Sequence, residues 1–389
     1  MRHDRHHDHR LTAFEATALT VGAGVGAGIM AVPALADRVG LVGLALVLPL
    51  AWGASALVHL MLAEVLFRTE KPYQVVELMR LYVLRGRWGR PLLWVVFALL
   101  SVAFVANLAA YVAGAGAVVA DLTGVGARAA EALVYAVSAG VVFFGLKAVG
   151  VAERYGAPVL VALVALVALA SVGAPFRLAP AGGGGATDAL ALYGMVMYAY
   201  WTFYSVPQVV KGLAPDQRAA ARAIARGLAV NGVLTAVVAV VALGVSNPVT
   251  EVAIVGIAAA VGPWIGTVGS LLLVAAFVTS YWSVSLALAD IVHERTGVGP
   301  RFAWALATLP SLLVLWAGAW HFLEWLRLAA GATGLVLALV TLPMYVEARR
   351  SGTVRDPAWT LGAWGGPLGL AVALLALVAM AVGSLVPTG

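Results

Sequence analysis

The stretch VGAGVGAGIMAVP, Val21 to Pro33, sets Gly22, Gly24, Gly26, Gly28 and Pro33 inside a run that is otherwise apolar. Each glycine costs a helix about 1 kcal/mol relative to alanine. A helix broken in hydrocarbon frees N–H and C=O groups that cost several kcal/mol each if left bare. Such a break survives where a cavity, a ligand or an ion fills the gap. A half-helix starting near Gly28 points its positive end into that gap, which suits a carboxylate. Carbonyls ending the first half, near Leu19 to Val21, suit an ammonium group or a cation. The competing reading is a small-residue face for helix packing.

A second interruption matches the first. Met197 to Pro207 reads MYAYWTFYSVP, and its proline lies 174 positions after Pro33. Interrupted segments at corresponding places in two halves point to a transporter binding site.

Working outward, the 389 residues are 62% hydrophobic and 11% charged. Soluble domains carry about 45–50% apolar and 25% charged residues. The excess excludes a soluble enzyme, a disulfide scaffold and a disordered chain, and the absence of cysteine excludes thiolate metal sites. The apolar runs are continuous, so a β-barrel is excluded too.

Eleven membrane helices are expected: 11–36, 41–67, 91–120, 129–146, 151–172, 188–213, 219–245, 264–292, 302–319, 322–345 and 359–385. Residues 1–10 form a His/Arg-rich tail, 11–173 a first five-helix unit, 188–346 a second, and 359–385 an added eleventh span. Five is odd, so the second unit is inverted. The loop 69–90 holds a surface amphipathic helix, 248–263 a short helical lid, and 180–187 a flexible linker.

Of the 24 basic residues, 20 fall in the N-terminal tail and in the loops after even-numbered helices. The positive-inside rule then puts the N-terminus in the cytoplasm and the C-terminus outside the inner membrane. The net charge of +6 is this bias and not a nucleic-acid footprint. Ala34-Leu35-Ala36 looks like a leader cleavage site, but the glycine-rich stretch with Pro33 spans fully and argues against cleavage.

Three stretches carry a family resemblance. VGAGVGAGIMAVP resembles the first-helix signature of permeases in the amino acid/polyamine/organocation superfamily. TSYWSVSLALAD (Thr279 to Asp290) and YSVPQVVKGL (Tyr204 to Leu213) resemble the eighth helix and the end of helix 6 in the bacterial aromatic and hydroxy amino acid permease family. Helix 6 departs from that pattern, carrying Trp201, Phe203 and Tyr204 where the family has glycines and a histidine. The resemblance implies an all-α leucine-transporter-like fold. It also implies ion-coupled import of an amino acid, driven by Na+ or H+, by alternating access of helices 1, 2, 6 and 7 against 3, 4, 8 and 9.

The substrate carboxylate and amine are expected on the backbone of Gly22, Ala23, Gly24, Val25, Gly26 and Gly28. Tyr200, Trp201, Thr202, Phe203 and Tyr204 are expected to wall a side-chain pocket. Asn107 and Tyr111 share a face of helix 3, and either touch substrate or hydrogen-bond between helices. By the resemblance, Thr279 and Ser280 join helix 1 carbonyls around the coupling ion, with Ser283 facing the substrate. Arg10 with Asp290 and Glu294, and Arg38 with Glu324, are expected as gates at opposite vestibules; Glu324 can equally pair with Arg327.

Glu15, His59 and Glu64 are ionisable groups within helices 1 and 2. The two glutamates lie near wetted ends, and His59 is the more suggestive proton carrier. His3, His6, His7 and His9 form a solvated tail with at most loose metal affinity. No cofactor is expected beyond a coupling ion, and the partners are a small amino acid and the bilayer. No nucleophile–base pair or P-loop appears, so neither an enzyme nor an ATP-driven pump is expected. The alternative is an amino acid sensor or germinant-receptor-like subunit without net transport.

Overall fold

A computed structural model describes residues 10–176, 183–318 and 340–386. The described residues are helical throughout, with short connections. The elements are α1 (Ala13–Gly24), α2 (Ala27–Phe67), α3 (Val75–Tyr82), α4 (Gly89–Thr123), α5 (Ala127–Phe143), α6 (Leu146–Ser171) and α7 (Ala186–Ala199). They continue with α8 (Ser205–Leu213), α9 (Gln217–Val245), α10 (Ala253–Val261), α11 (Pro263–Thr296) and α12 (Pro300–Trp316). Helical residues 340–351 (α13) and α14 (Pro367–Leu385) complete them. Six of these helices are long and apolar enough to cross a membrane. The His-rich tail, Glu324, Arg327 and the first part of helix 10 lie outside the described residues.

Both expected interruptions are present. The first helix stops at Gly24 and restarts at Ala27, with Val25 and Gly26 non-helical. Helix 6 stops at Ala199 and restarts at Ser205. α2 is two helices joined at Gly40, whose φ of 83° and ψ of 172° call for glycine. α1 opens on a capping box, Thr12 Oγ1 accepting from Glu15 N–H and Glu15 Oε2 accepting from Thr12 N–H.

Two expectations need correction. Helix 5 begins at Leu146 rather than Val151, so Glu153 lies about two turns inside it. The last helix begins at Pro367, not Trp359; Gly362–Gly365 is a single 3-10 turn before it. Pro367 has no N–H to give and fits the first helical position, where no N–H is needed.

The outer surface is apolar. Val42, Leu50, Leu169, Val172 and Leu375 are each at least two-thirds exposed. A contiguous coat of this kind belongs against lipid rather than water. The expected lid is α10, and the expected surface helix is α3. α3 buries Val75, Val76, Leu78, Met79 and Tyr82 and leaves Arg80 exposed. Arg295 fastens it: its guanidinium lies 3.6 Å from Glu77 and stacks 4.2 Å from the Trp94 ring centre.

Glu64 is not wetted, as its place near a helix end suggested. It is fully buried and collects four partners at the basic end of the bundle. Arg68 bonds its Oε1 at 2.8 Å and Arg349 Nε lies 3.7 Å away. Tyr345 O–H and Leu361 N–H both donate to Oε2 at 2.9 Å. One carboxylate thus joins α2, α13 and the segment leading into α14. At its far end α14 presses backbone to backbone on α7. A methyl built on Gly194 would sit 2.9 Å from the carbonyl carbon of Gly383. Only glycine permits that approach.

Candidate functional site

The two breaks meet. A methyl built on Gly28, in the first turn of α2, would lie 3.0 Å from the Cα of Ala199 at the end of α7. One built on Gly24 would run into Asn231 Nδ2 and sit 2.7 Å from Thr202 Cγ2. Gly26 is extended (φ −123°), a conformation open to any residue. Its surroundings are close, with Ser280 Oγ 3.2 Å from where a Cβ would be.

Side chains take up the freed backbone groups. Thr279 and Ser280 hydroxyls each donate to Gly22 O at 3.3 Å. Asn231 Nδ2 donates to Thr20 O at 3.2 Å. In the second break, Thr202 N–H donates to His59 Nε2 at 3.0 Å. His59 Nδ1 lies 2.6 Å from Ser55 O, and Ser55 Oγ donates to Tyr200 O at 3.2 Å. Both ring nitrogens are therefore engaged, Nδ1 as donor and Nε2 as acceptor. His59 braces the break, which is a different task from carrying a proton. Losing an acceptor for a buried N–H costs about 1–3 kcal/mol. His59→Leu is expected to lower the thermal midpoint in detergent, and His59→Gln, which retains an acceptor, to lower it less. Equal midpoints for His59→Leu and wild type would refute the bracing role.

Between the breaks lies a cavity of about 40 Å³, room for a few waters. Ala23, Gly24, Gly26 and Gly28 line one side. Trp201 and Tyr204 face them, with Tyr198 and Ala199. Asn107 and Tyr111 on α4, and Ser283 and Val284 on α11, close the rest. Tyr111 O–H lies between Asn107 and Ser280. Three buried polar atoms on this wall have no partner among the described residues: Asn107 Oδ1, Trp201 Nε1 and Ser283 Oγ. Buried polar groups are nearly always hydrogen-bonded, so these three suit a polar solute.

The structure thus gathers nine of the expected contact residues: Ala23, Gly24, Gly26, Gly28, Asn107, Tyr111, Trp201, Tyr204 and Ser283. Five others do not line the cavity. Gly22 turns toward α6, and Val25 joins an apolar cluster with Ala157 and Leu160. Tyr200 lies against Thr235 of α9, and Thr202 rests its methyl at Gly24. Phe203 stacks behind Trp201, ring centres 5.3 Å apart. Successive residues of one turn cannot all face one way. Tyr198, Ala199 and Val284 were not expected; Tyr198 stands in the last turn before the break, on the face that Trp201 continues.

The expected inner gate is paired differently, and the outer one, Arg38 with Glu324, falls partly outside the described residues. Asp290 meets Lys211 at 3.4 Å, and Glu294 accepts from Gln74 N–H at 2.8 Å, while Arg10 is exposed. Arg38 approaches Asp188 at 4.0 Å, and its carbonyl accepts from Gly184 N–H. Glu15 binds Lys147 at 2.7 Å. Among the described residues no cluster of three or more His, Asp or Glu could hold a metal. Sequence reasoning missed Glu153, which is fully buried beside Gly22 and has no partner for either oxygen among the described residues.

No protein-family model matches this sequence, and no curated protein matches it. Solved structures do. Mhp1, a nucleobase-cation-symport-1 family transporter in a closed conformation with bromovinylhydantoin bound, aligns with a TM-score of 0.67 at 14% identity, over 98% of this chain and 91% of that one. MhsT in complex with L-phenylalanine aligns with a TM-score of 0.64 at 15% identity, over 95% and 97%. The chain therefore has the all-helical leucine-transporter-like fold of these transporters, with its own pair of broken helices.

Proposed function

We propose that this protein is an ion-coupled secondary transporter that imports an amino acid across the inner membrane. The observation that carries the reading is the facing pair of breaks. The α2 N-terminal amides, the α1 and α7 carbonyl ends and three unpartnered polar atoms all border one cavity. Free amides at a helix start suit a carboxylate, and carbonyls at a helix end suit an ammonium group. An amino acid carries both. Trp201, Tyr198, Tyr204 and Tyr111 make the remaining wall aromatic, which favours a large apolar side chain. The basic end of the bundle is assigned to the cytoplasm on the positive-inside rule.

The cavity must widen to take such a solute, and alternating access supplies that movement. α1, α2, α7, α8 and α9 rock against α4, α5, α11 and α12. Uptake into proteoliposomes tests this, with a panel of labelled amino acids that includes L-phenylalanine, under separate Na+ and H+ gradients. Saturable accumulation above the outside concentration is expected for at least one of them. Binding without accumulation would identify a sensor and overturn the proposal, as would no binding of any panel member.

A further inference from the structure

Glu153 is a buried charged group of this region that the substrate cavity does not absorb. It lies on α6, fully buried, with no hydrogen-bond partner for either carboxylate oxygen among the described residues. Its carboxylate occupies the place where Gly22 would carry a side chain. Gly22 is in the last turn of α1, the negative end of that helix. A bare carboxylate held there, away from water and facing carbonyls, is strongly disfavoured. Among the described residues no counter-charge faces it. On α6, Lys147 is taken by Glu15 of α1, and Arg154 points outward over Tyr155. From α9, Arg222 and Arg226 are exposed, and Asn231 is neutral. On α11 and α8, Asp290 and Lys211 hold each other. On α5, Tyr135 lies against Thr308.

With no counter-charge among the described residues, the neutralising group is sought outside the chain, and the geometry distinguishes a proton from a metal cation. Hard cations take a shell of several oxygens. Here the Thr279 and Ser280 hydroxyls aim at Gly22 O and not at Glu153. Thr279 turns its methyl to this side: a Cβ on Gly156 would lie 2.9 Å from Thr279 Cγ2 and 3.7 Å from Glu153 Oε2. The ring edge of Trp282 is 3.5 Å from the same point. A proton needs only one oxygen.

We infer that Glu153 binds the coupling proton. The inference rests on the transporter reading and names its driving ion. A proton on one Oε lets the carbonyl end of α1 pack on α6, with Ala23 and Gly24 set against the solute. Release of that proton to water on the other side restores a charge that α1 avoids, and the two helices part. The proton that enters with the solute is the one that leaves.

The test uses purified full-length protein, wild type and Glu153→Gln. An infrared spectrum should contain a protonated-carboxyl band that the variant lacks, a readout that needs no transport. In proteoliposomes with L-phenylalanine as probe, wild type should accumulate under a pH gradient and not under a Na+ gradient alone. Glu153→Gln should lose accumulation entirely while retaining solute exchange, now independent of pH. Glu153→Asp should restore pH-dependent accumulation. The inference is overturned if the infrared band survives the substitution, if Glu153→Gln accumulates like wild type, or if Na+ alone drives wild-type uptake. If wild type transports nothing but the band behaves as expected, the transporter reading fails while the proton site stands.

Discussion

Glu64→Ala is expected to lower the thermal midpoint in detergent by roughly 5–10 °C. The carboxylate is fully buried and answers a guanidinium that is itself only 7% exposed. Removing one partner of a buried ion pair leaves an uncompensated charge, at about 3–5 kcal/mol. Arg68 retains only the Arg355 carbonyl, 2.8 Å from its Nη1. Tyr345 O–H and Leu361 N–H lose their acceptor together. Glu64→Gln retains acceptor capacity without the charge and should fall between wild type and Glu64→Ala. Thermal melting followed by fluorescence checks the order. An alanine variant as stable as wild type would mean that the four partners find other acceptors.

Gly28→Leu should abolish uptake while leaving membrane insertion intact. Even a methyl at this position comes within 3.0 Å of Ala199 Cα and 3.2 Å of Tyr198 Cδ1. A leucine must push α7 away or fill the cavity, and forcing methylenes into a packed site costs about 1–3 kcal/mol. Applied to solute binding, the upper end is roughly a hundredfold loss of affinity. Gly26→Leu meets Ser280 and should behave alike. Gly53 has open space around it, so Gly53→Ala serves as a control that keeps its uptake. Membrane yield and size-exclusion behaviour report insertion. Normal uptake by both leucine variants would refute the placement of the substrate.

The breaks were legible because they violate a strong rule. Four alternate glycines in a lipid-spanning run have no local reason to be there, and a second irregularity at a matched offset supplied the rest. The restart of α2 at Ala27 lies one residue from the expected position. Side-chain direction was less legible. Tyr200 to Tyr204 read as one aromatic wall, but a chain leaving a helix turns each residue a different way. Trp201 and Tyr204 reach the cavity, whereas Tyr200 and Phe203 pack behind it.

Charges misled for a related reason. Glu153 stands next to Arg154, which counted with the basic residues after helix 4, and nothing in the sequence set the glutamate apart from that charged end. In α6 the two point to opposite sides, one into the bundle and one out of it. Pairing across space was illegible too. Lys211 with Asp290 and Lys147 with Glu15 follow from helix packing, which no sequence offset announces.

α14 stands outside the two five-helix units, but it is fastened to them at both ends. The Gly194–Gly383 contact joins it to α7, and Leu361, just ahead of it, is tied to Glu64 of α2. Both attachments are on the group of helices assigned to rock. The terminal span is then a passenger that travels with its hosts. A fluorophore on Leu374, which faces outward at 52% exposure, would report each swing of the gate without entering the path of the solute.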